Sequence, residues 1–253
     1  MMNVALVETV GAPCHLLRPD AEKVRALSPR SAILRFACVA GLVAATAGCA
    51  DLKQKPPSHP GATVVVEPPS KSERWTGIAT NSDEWRISRL ALAWQSALED
   101  AGRGSAGEIK KEGALLEPRA AQPRPAPTPG SYNCRLIKLG RSATKGPAFE
   151  SFKPFFCYVQ VEKDLLTIVK QTGSQRPAGR LYEDDDPERL IFLGSLALGD
   201  EQAPLAYGDD PKRDMAGVLE RIAPFRWRLV IPWPQSTSKL DVFELTPVAD
   251  QPK

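Results

Sequence analysis

The sequence predicts an α+β chain that is mainly β, with a short N-terminal helical hairpin followed by an eight-stranded antiparallel barrel. Three observations carry this. The apolar pattern has a period of 3.6 between residues 81 and 112, and a period of 2 from residue 132 onward. Eight short alternating runs follow, at 132–139, 155–162, 165–171, 178–182, 190–198, 215–222, 225–231 and 240–245. Two links are only two residues long, Lys163-Asp164 and Ala223-Pro224, and links that tight join antiparallel neighbours. Strands of this number either close on themselves or split into two packed sheets, because open edges pair with other chains. The closed barrel is preferred and a β-sandwich is the alternative.

The helical segment reads NSDEWRISRLALAWQSALEDAG. Ile87, Leu90, Ala91, Trp94, Ala97, Leu98 and Ala101 recur at three- and four-residue spacing, so one face is apolar. Asn81 with Glu84 predicts a capped start and Gly102 a stop. Ser105 with Glu108 predicts a second short helix running to Lys111. Trp85 and Trp94 are read as core residues, with an aromatic ligand wall as the alternative. Residues 113–130, containing PRPAPTPG, read as a stiff Pro-rich spacer before a β domain at 131–247.

Along the barrel strands, alternation assigns the faces. Cys157, Val159 and Val161 share one side, as do Trp227, Leu229 and Ile231. Cys134 and Leu136 fall beside the first set, so a Cys134–Cys157 disulfide would staple the first two long strands. Phe192, Trp227 and Leu229 are large enough to fill the interior. Arg226 and Arg228 alternate with Trp227 and Leu229, as on a half-buried strand, with a cation–π ligand site as the alternative.

The N-terminal region predicts export. The uncharged run at 36–48 is too short to cross a bilayer, which takes about 20 apolar residues. It fits the apolar region of a secretory signal flanked by Arg30 and Arg35. Thr46, Ala47 and Gly48 before Cys49 are similar to a bacterial lipobox, although the first of these positions is usually a bulky aliphatic. Residues 1–48 are therefore expected to be a signal peptide, over-extended at its start, and Cys49 the lipidated residue. Asp51 lies one place beyond the position associated with inner-membrane retention, which points to the periplasmic face of the outer membrane. Ordinary secretion to the soluble periplasm and an uncleaved anchor are the alternatives. Residues 49–72 read as a Pro-rich tether.

The whole chain has 33 basic and 30 acidic residues. Five of the basic residues and three of the acidic ones fall within 1–48, which leaves 28 against 27 in the exported part. So balanced a chain gives no electrostatic case for nucleic acid. Of the five cysteines, Cys14 and Cys38 leave with the signal, and Cys134 and Cys157 remain as a pair in an oxidising compartment. Both histidines, His15 and His59, precede the folded region, so neither a zinc site nor a His-assisted nucleophile is expected there.

YNCRLIKLG, FKPFFCYVQVE, KQTGSQRPAGRLY, AGVLERIAPFRWRLVIPWP and LDVFELTP, with the Trp-rich helix before them, resemble a family of secreted proteins of alphaproteobacteria, sphingomonads especially, known as a domain of unknown function. The resemblance runs from about Asp83 to the end and implies no activity. A coarser likeness, carried by strand number and the cysteine pair, is to periplasmic eight-stranded barrel inhibitors of metalloproteases.

Four loops carry candidate chemistry. In KQTGSQRPAGR, Ser174, Arg176 and Arg180 beside the Gly173 turn form a candidate anion-binding set, with a hairpin paired to local carboxylates as the alternative. SATK at 142–145 matches the Ser-x-x-Lys of penicillin-recognising enzymes but follows a strand, so it is read as a loop. YEDDDPE and GDDPKRD are read as solvated hairpin tips rather than calcium loops or a glycosidase carboxylate pair. No catalytic residue, metal ligand or cofactor is assigned. The expected function is a non-catalytic envelope module whose partners are the membrane, through the lipid anchor, and an envelope protein or anionic ligand. A protease-inhibitor-like barrel and a carboxylate-dependent enzyme acting on envelope polymers are the alternatives.

Overall fold

The computed structural model describes residues 68–143, 146–235 and 237–249. The expected signal peptide, Cys49 and nearly all of the expected tether lie outside the described residues, as do Thr144 and Lys145 of SATK. Three helices come first: α1 (Lys71–Thr76), α2 (Asn81–Ser88) and α3 (Leu90–Glu112). A 3₁₀ turn (Gly113–Leu116) leads to nine strands. These are β1 (Gly130–Arg141), β2 (Phe149–Ser151), β3 (Phe155–Glu162), β4 (Leu165–Lys170), β5 (Gln175–Glu183), β6 (Arg189–Leu198), β7 (Asp214–Ala223), β8 (Arg226–Pro232) and β9 (Ser238–Pro247).

The barrel is closed. Each strand from β3 to β9 pairs antiparallel with the next, and β1 pairs with both β3 and β9. The ninth strand, β2, adds to the second half of β1, where Leu139 stands opposite Phe149. It occupies the position that β3 would fill if β3 were longer. Pro154, which has no N–H to donate, separates the two. The barrel wall is therefore split at this end, between β2 and the start of the loop after β4.

The interior is built by alternation. Tyr132, Cys134, Cys157, Val159, Ile168, Leu181, Phe192, Trp227, Leu229, Phe243 and Leu245 form one buried cluster. Gly179 and Gly194 face each other across β5 and β6. A Cβ on Gly179 would come within 2.6 Å of the Gly194 Cα and 2.7 Å of the Phe192 ring, so the glycine pair makes room for that ring. Strands β6 to β9 are buried on both faces, which is why they read as almost unbroken apolar runs. Their outer faces are covered by helices. Ala93, Trp94, Ala97 and Ala101 of α3 pack on Ile137, Leu139, Val230, Leu240 and Val242. Trp75 and Ile87 pack on Ile191, Leu193, Ala216 and Val218. The alanines, four residues apart, let α3 approach closely. At Gly140, with φ +66°, an added Cβ would lie 3.0 Å from the Ala97 Cα.

Several details differ from the sequence reading. The cap of α2 is Thr80, whose hydroxyl accepts from the Asp83 N–H, one residue before the expected Asn81. Gly102 does not stop α3, which continues to Glu112 with a kink at Ser105, the position expected to open a new helix. Trp94 is buried, but Trp85 is 49 % exposed and lies against Trp233, 5.1 Å between ring centroids. The helix α1 was not expected. A capping box between Ser70 and Glu73 starts it, and Asp184 holds it by accepting from Trp75 Nε1. Asp184, expected in a solvated tip, is buried as a result.

The Pro-rich stretch after α3 is packed against the barrel. Pro125 and Pro127 are buried, and the Tyr132 hydroxyl donates to the Thr128 carbonyl at 2.6 Å. Arg228, fully buried on the outer face of β8, donates to the carbonyls of Leu115, Glu117 and Pro118 at 3.1, 2.6 and 2.9 Å. Its guanidinium also lies over the Trp94 ring and pairs with Glu220, so its cation–π contact is internal. Midway along α3, Asp100 accepts from the Arg141 backbone N–H and guanidinium. Those hydrogen bonds hold the Asp100 carboxyl well below the usual carboxylate range.

Candidate functional site at the barrel mouth

The two ends of the barrel differ. One is filled by Tyr132 and Trp227, whose rings meet edge to face at 6.0 Å. At the other, inward positions turn polar. Cys134 and Leu136 face inward on β1, and the next inward residue is Lys138. Leu166 and Ile168 face inward on β4, and the next is Lys170. Opposite Lys138 on β9 stands Asp241, inward like Phe243 and Leu245. Together they line a cavity of about 100 Å³ with apolar walls that include Leu136, Leu196 and Phe243.

The charges in and around this cavity are unequally satisfied. Lys138 and Asp241 pair at 3.8 Å, and Ser238 also donates to Asp241. Burial raises the Asp241 carboxyl, a shift the Lys138 charge opposes. Arg86 is paired with the buried Asp83, which also accepts from the Tyr207 hydroxyl at 2.5 Å. Arg213 pairs with Glu201 and Asp210. Asp214 accepts from the Gly208 N–H through one oxygen, while its other oxygen is buried with no partner among the described residues. Burial raises the Asp214 carboxyl.

Unlike Lys212, which also lacks an ion pair among the described residues but is exposed at the rim, Lys170 is partly enclosed. Its ammonium sits 4.3 Å from the centroid of the Phe155 ring. It is half-buried, and among the described residues it makes no ion pair. Burial and the nearby positive charge of Arg176 lower its pKa. A half-buried ammonium carries three N–H donors and a positive charge, the chemistry that an anion would require.

Beside the mouth, the split in the barrel wall forms an open cleft of about 660 Å³ that shares Lys138, Lys170 and Gln175 with the inner cavity. Glu150, Lys153 and Ser174 are on its walls. Below, a small apolar pocket of about 20 Å³ touches Lys170, the Cys134–Cys157 disulfide, Ile168 and Leu229.

The sequence-predicted site residues are engaged separately. Ser174 is at the cleft. Arg176 is turned to the outer face of β5 and donates to the carbonyls of Gly173 and Gly199 at 2.8 and 2.5 Å, and to that of Glu201. Arg180, four residues further along the same face, pairs with Glu162 at 2.7 Å. Both guanidiniums already have partners within the chain. The disulfide does form, on the adjacent strands β1 and β3, with 5.9 Å between the Cα atoms. Among the described residues, no group of three or more His, Cys, Asp or Glu side chains is placed to hold a metal ion. No described helix is long and apolar enough to cross a membrane.

Residues 75–245 match a family described as a domain of unknown function, DUF4893. The chain belongs to the DUF4893 family. The match begins at Trp75 in α1 and ends at Leu245 in β9, so the DUF4893 domain takes in the helical cover, the barrel and the mouth. No curated protein and no solved structure matches the chain. The likeness to metalloprotease inhibitors and the assignment to a particular bacterial lineage find no support there.

Proposed function

We propose that the protein is a non-catalytic binding module of the bacterial envelope, and that the mouth of its barrel holds a small anionic ligand on Lys170. The observation that carries this is the half-buried ammonium of Lys170, without a carboxylate partner among the described residues, at the junction of the cavity and the cleft. Lys138 stands across the same cavity, paired with Asp241. Preformed, largely apolar cavities with a few convergent polar groups are the usual form of small-ligand sites.

Export and lipid attachment at Cys49 belong to the same proposal, with the protein held at the periplasmic face of the outer membrane. The disulfide supports it, since such bonds persist in oxidising compartments.

The site is tested by calorimetric or NMR titration with inorganic phosphate and with acetate, on wild type and on Lys170→Gln. Loss of about tenfold or more in affinity is expected in the variant, roughly the worth of one charge-assisted hydrogen bond. Equal binding by the two proteins, or none by wild type, would overturn the reading.

A further inference from the structure

Resting on that reading, we infer that the ligand is a compact monocarboxylate of about four to six carbons, its carboxylate on Lys170 and its apolar end beside the disulfide. Three features of the mouth carry this.

The first is shape. Two cavities, an outer and an inner arm of the proposed site, have Lys170, Pro177 and Phe243 in both their walls. The outer arm, about 100 Å³, is rimmed by charge, whereas the inner arm, about 20 Å³, is walled almost wholly by carbon and sulfur. A ligand that bridges them is charged at one end only.

The second is size. One water needs roughly 10–15 Å³ of such space. The inner arm thus admits one or two methyl-sized groups, and the buried Phe192 lines its wall. The inner arm has no room for the end of a long acyl chain, and an inorganic anion leaves that arm unused.

The third is charge. Lys170 is the enclosed cation left without a carboxylate among the described residues, with Lys212 also unpaired but exposed at the rim, while Lys138 is already engaged by Asp241 and Arg86 by Asp83. Asp241 and Asp214 on the same walls disfavour a second negative charge. A monoanion fits that balance better than a phosphate dianion.

The experiment is a titration of the full domain with acetate, butanoate, hexanoate, decanoate and inorganic phosphate, repeated on Lys170→Gln. Affinity is expected to rise about fourfold per methylene from acetate to hexanoate. It should fall again at decanoate, with phosphate no tighter than acetate, and the variant should lose binding throughout the series. N-acetylleucine carries the same carboxylate and short apolar group at a peptide-like end. If it binds more tightly than hexanoate, the free acid is overturned in favour of a peptide C terminus. A flat series that still depends on Lys170 would overturn the monocarboxylate assignment and leave the anion site standing. A steady rise through decanoate would overturn the size argument. Binding that ignores Lys170 would overturn the site itself. Wild type carries the chain-length series alone, so misfolding of the variant cannot mask the outcome.

Discussion

Lys138 on β1 and Asp241 on β9 stand directly opposite one another in the barrel register, with 3.8 Å between Nζ and Oδ2. Both side chains point into the barrel, and Asp241 is 5 % exposed. The pair is an internal competitor for any bound anion, because Asp241 occupies Lys138 and repels negative charge. Asp241→Asn keeps the volume and one acceptor oxygen for the Ser238 hydroxyl but removes that charge and releases Lys138. An affinity gain of about tenfold for acetate is expected, equivalent to about 1.4 kcal/mol. Titration calorimetry at neutral pH checks this. Unchanged or weaker binding would show that Lys138 contributes nothing to the site.

The depressed pKa of Lys170 gives the site a pH signature. The anion needs the protonated amine, so affinity is lost as pH rises through the pKa of Lys170 in the free protein. Burial and Arg176 place that below the ordinary lysine value of 10.5, and the decline should begin earlier than for an exposed lysine. Lys170→Arg stays charged throughout this range and should bind with no alkaline decline. Titrations with methanesulfonate, whose charge is constant, isolate the protein's contribution. The same decline in both proteins would assign it to another group.

The anchor is tested separately. Cys49→Ser removes the thiol that would carry lipid, and acyl chains contribute ~0.8 kcal/mol per buried CH₂ to membrane attachment. The variant is expected in the soluble or unprocessed fraction, with wild type in the outer membrane. Identical fractionation would end the lipoprotein proposal and leave the barrel-mouth site untouched.

The barrel was legible because alternation depends on neighbouring residues only. All eight expected strands are present, with ends shifted by a few residues. The disulfide followed from the same parity. The site was also marked, in Cys134–Leu136–Lys138 and Leu166–Ile168–Lys170, where an inward series ends on a lysine. The arginines of the next loop carry a stronger local signal in the sequence but bind carbonyls and Glu162 of the chain itself. What sequence could not give was partnership at long range. Trp75 with Asp184 and Asp100 with Arg141 are 109 and 41 residues apart. Strand β2 was missed because three residues are too few to show a period.

Arg228 makes the last prediction. Its side chain is fully buried, and its Nε donates to Glu220 at 2.6 Å. Its remaining donors reach the carbonyls of Leu115, Glu117 and Pro118. This one side chain therefore ties the segment after α3 to the barrel wall, and with it the end of the helical cover. Arg228→Met preserves most of the volume but strands Glu220 without its cation and leaves the carbonyls without donors. Removing one member of a buried ion pair costs about 3–5 kcal/mol. Chemical denaturation should show a loss of that size with an unchanged slope. Restoring neutrality with Glu220→Gln in the same chain should recover part of it, because the buried charge is then gone and only the carbonyls lack partners. If the double variant is as unstable as the single, the carbonyl contacts, rather than the ion pair, hold the segment in place. If neither variant is destabilised, Arg228 does not fasten the segment to the barrel.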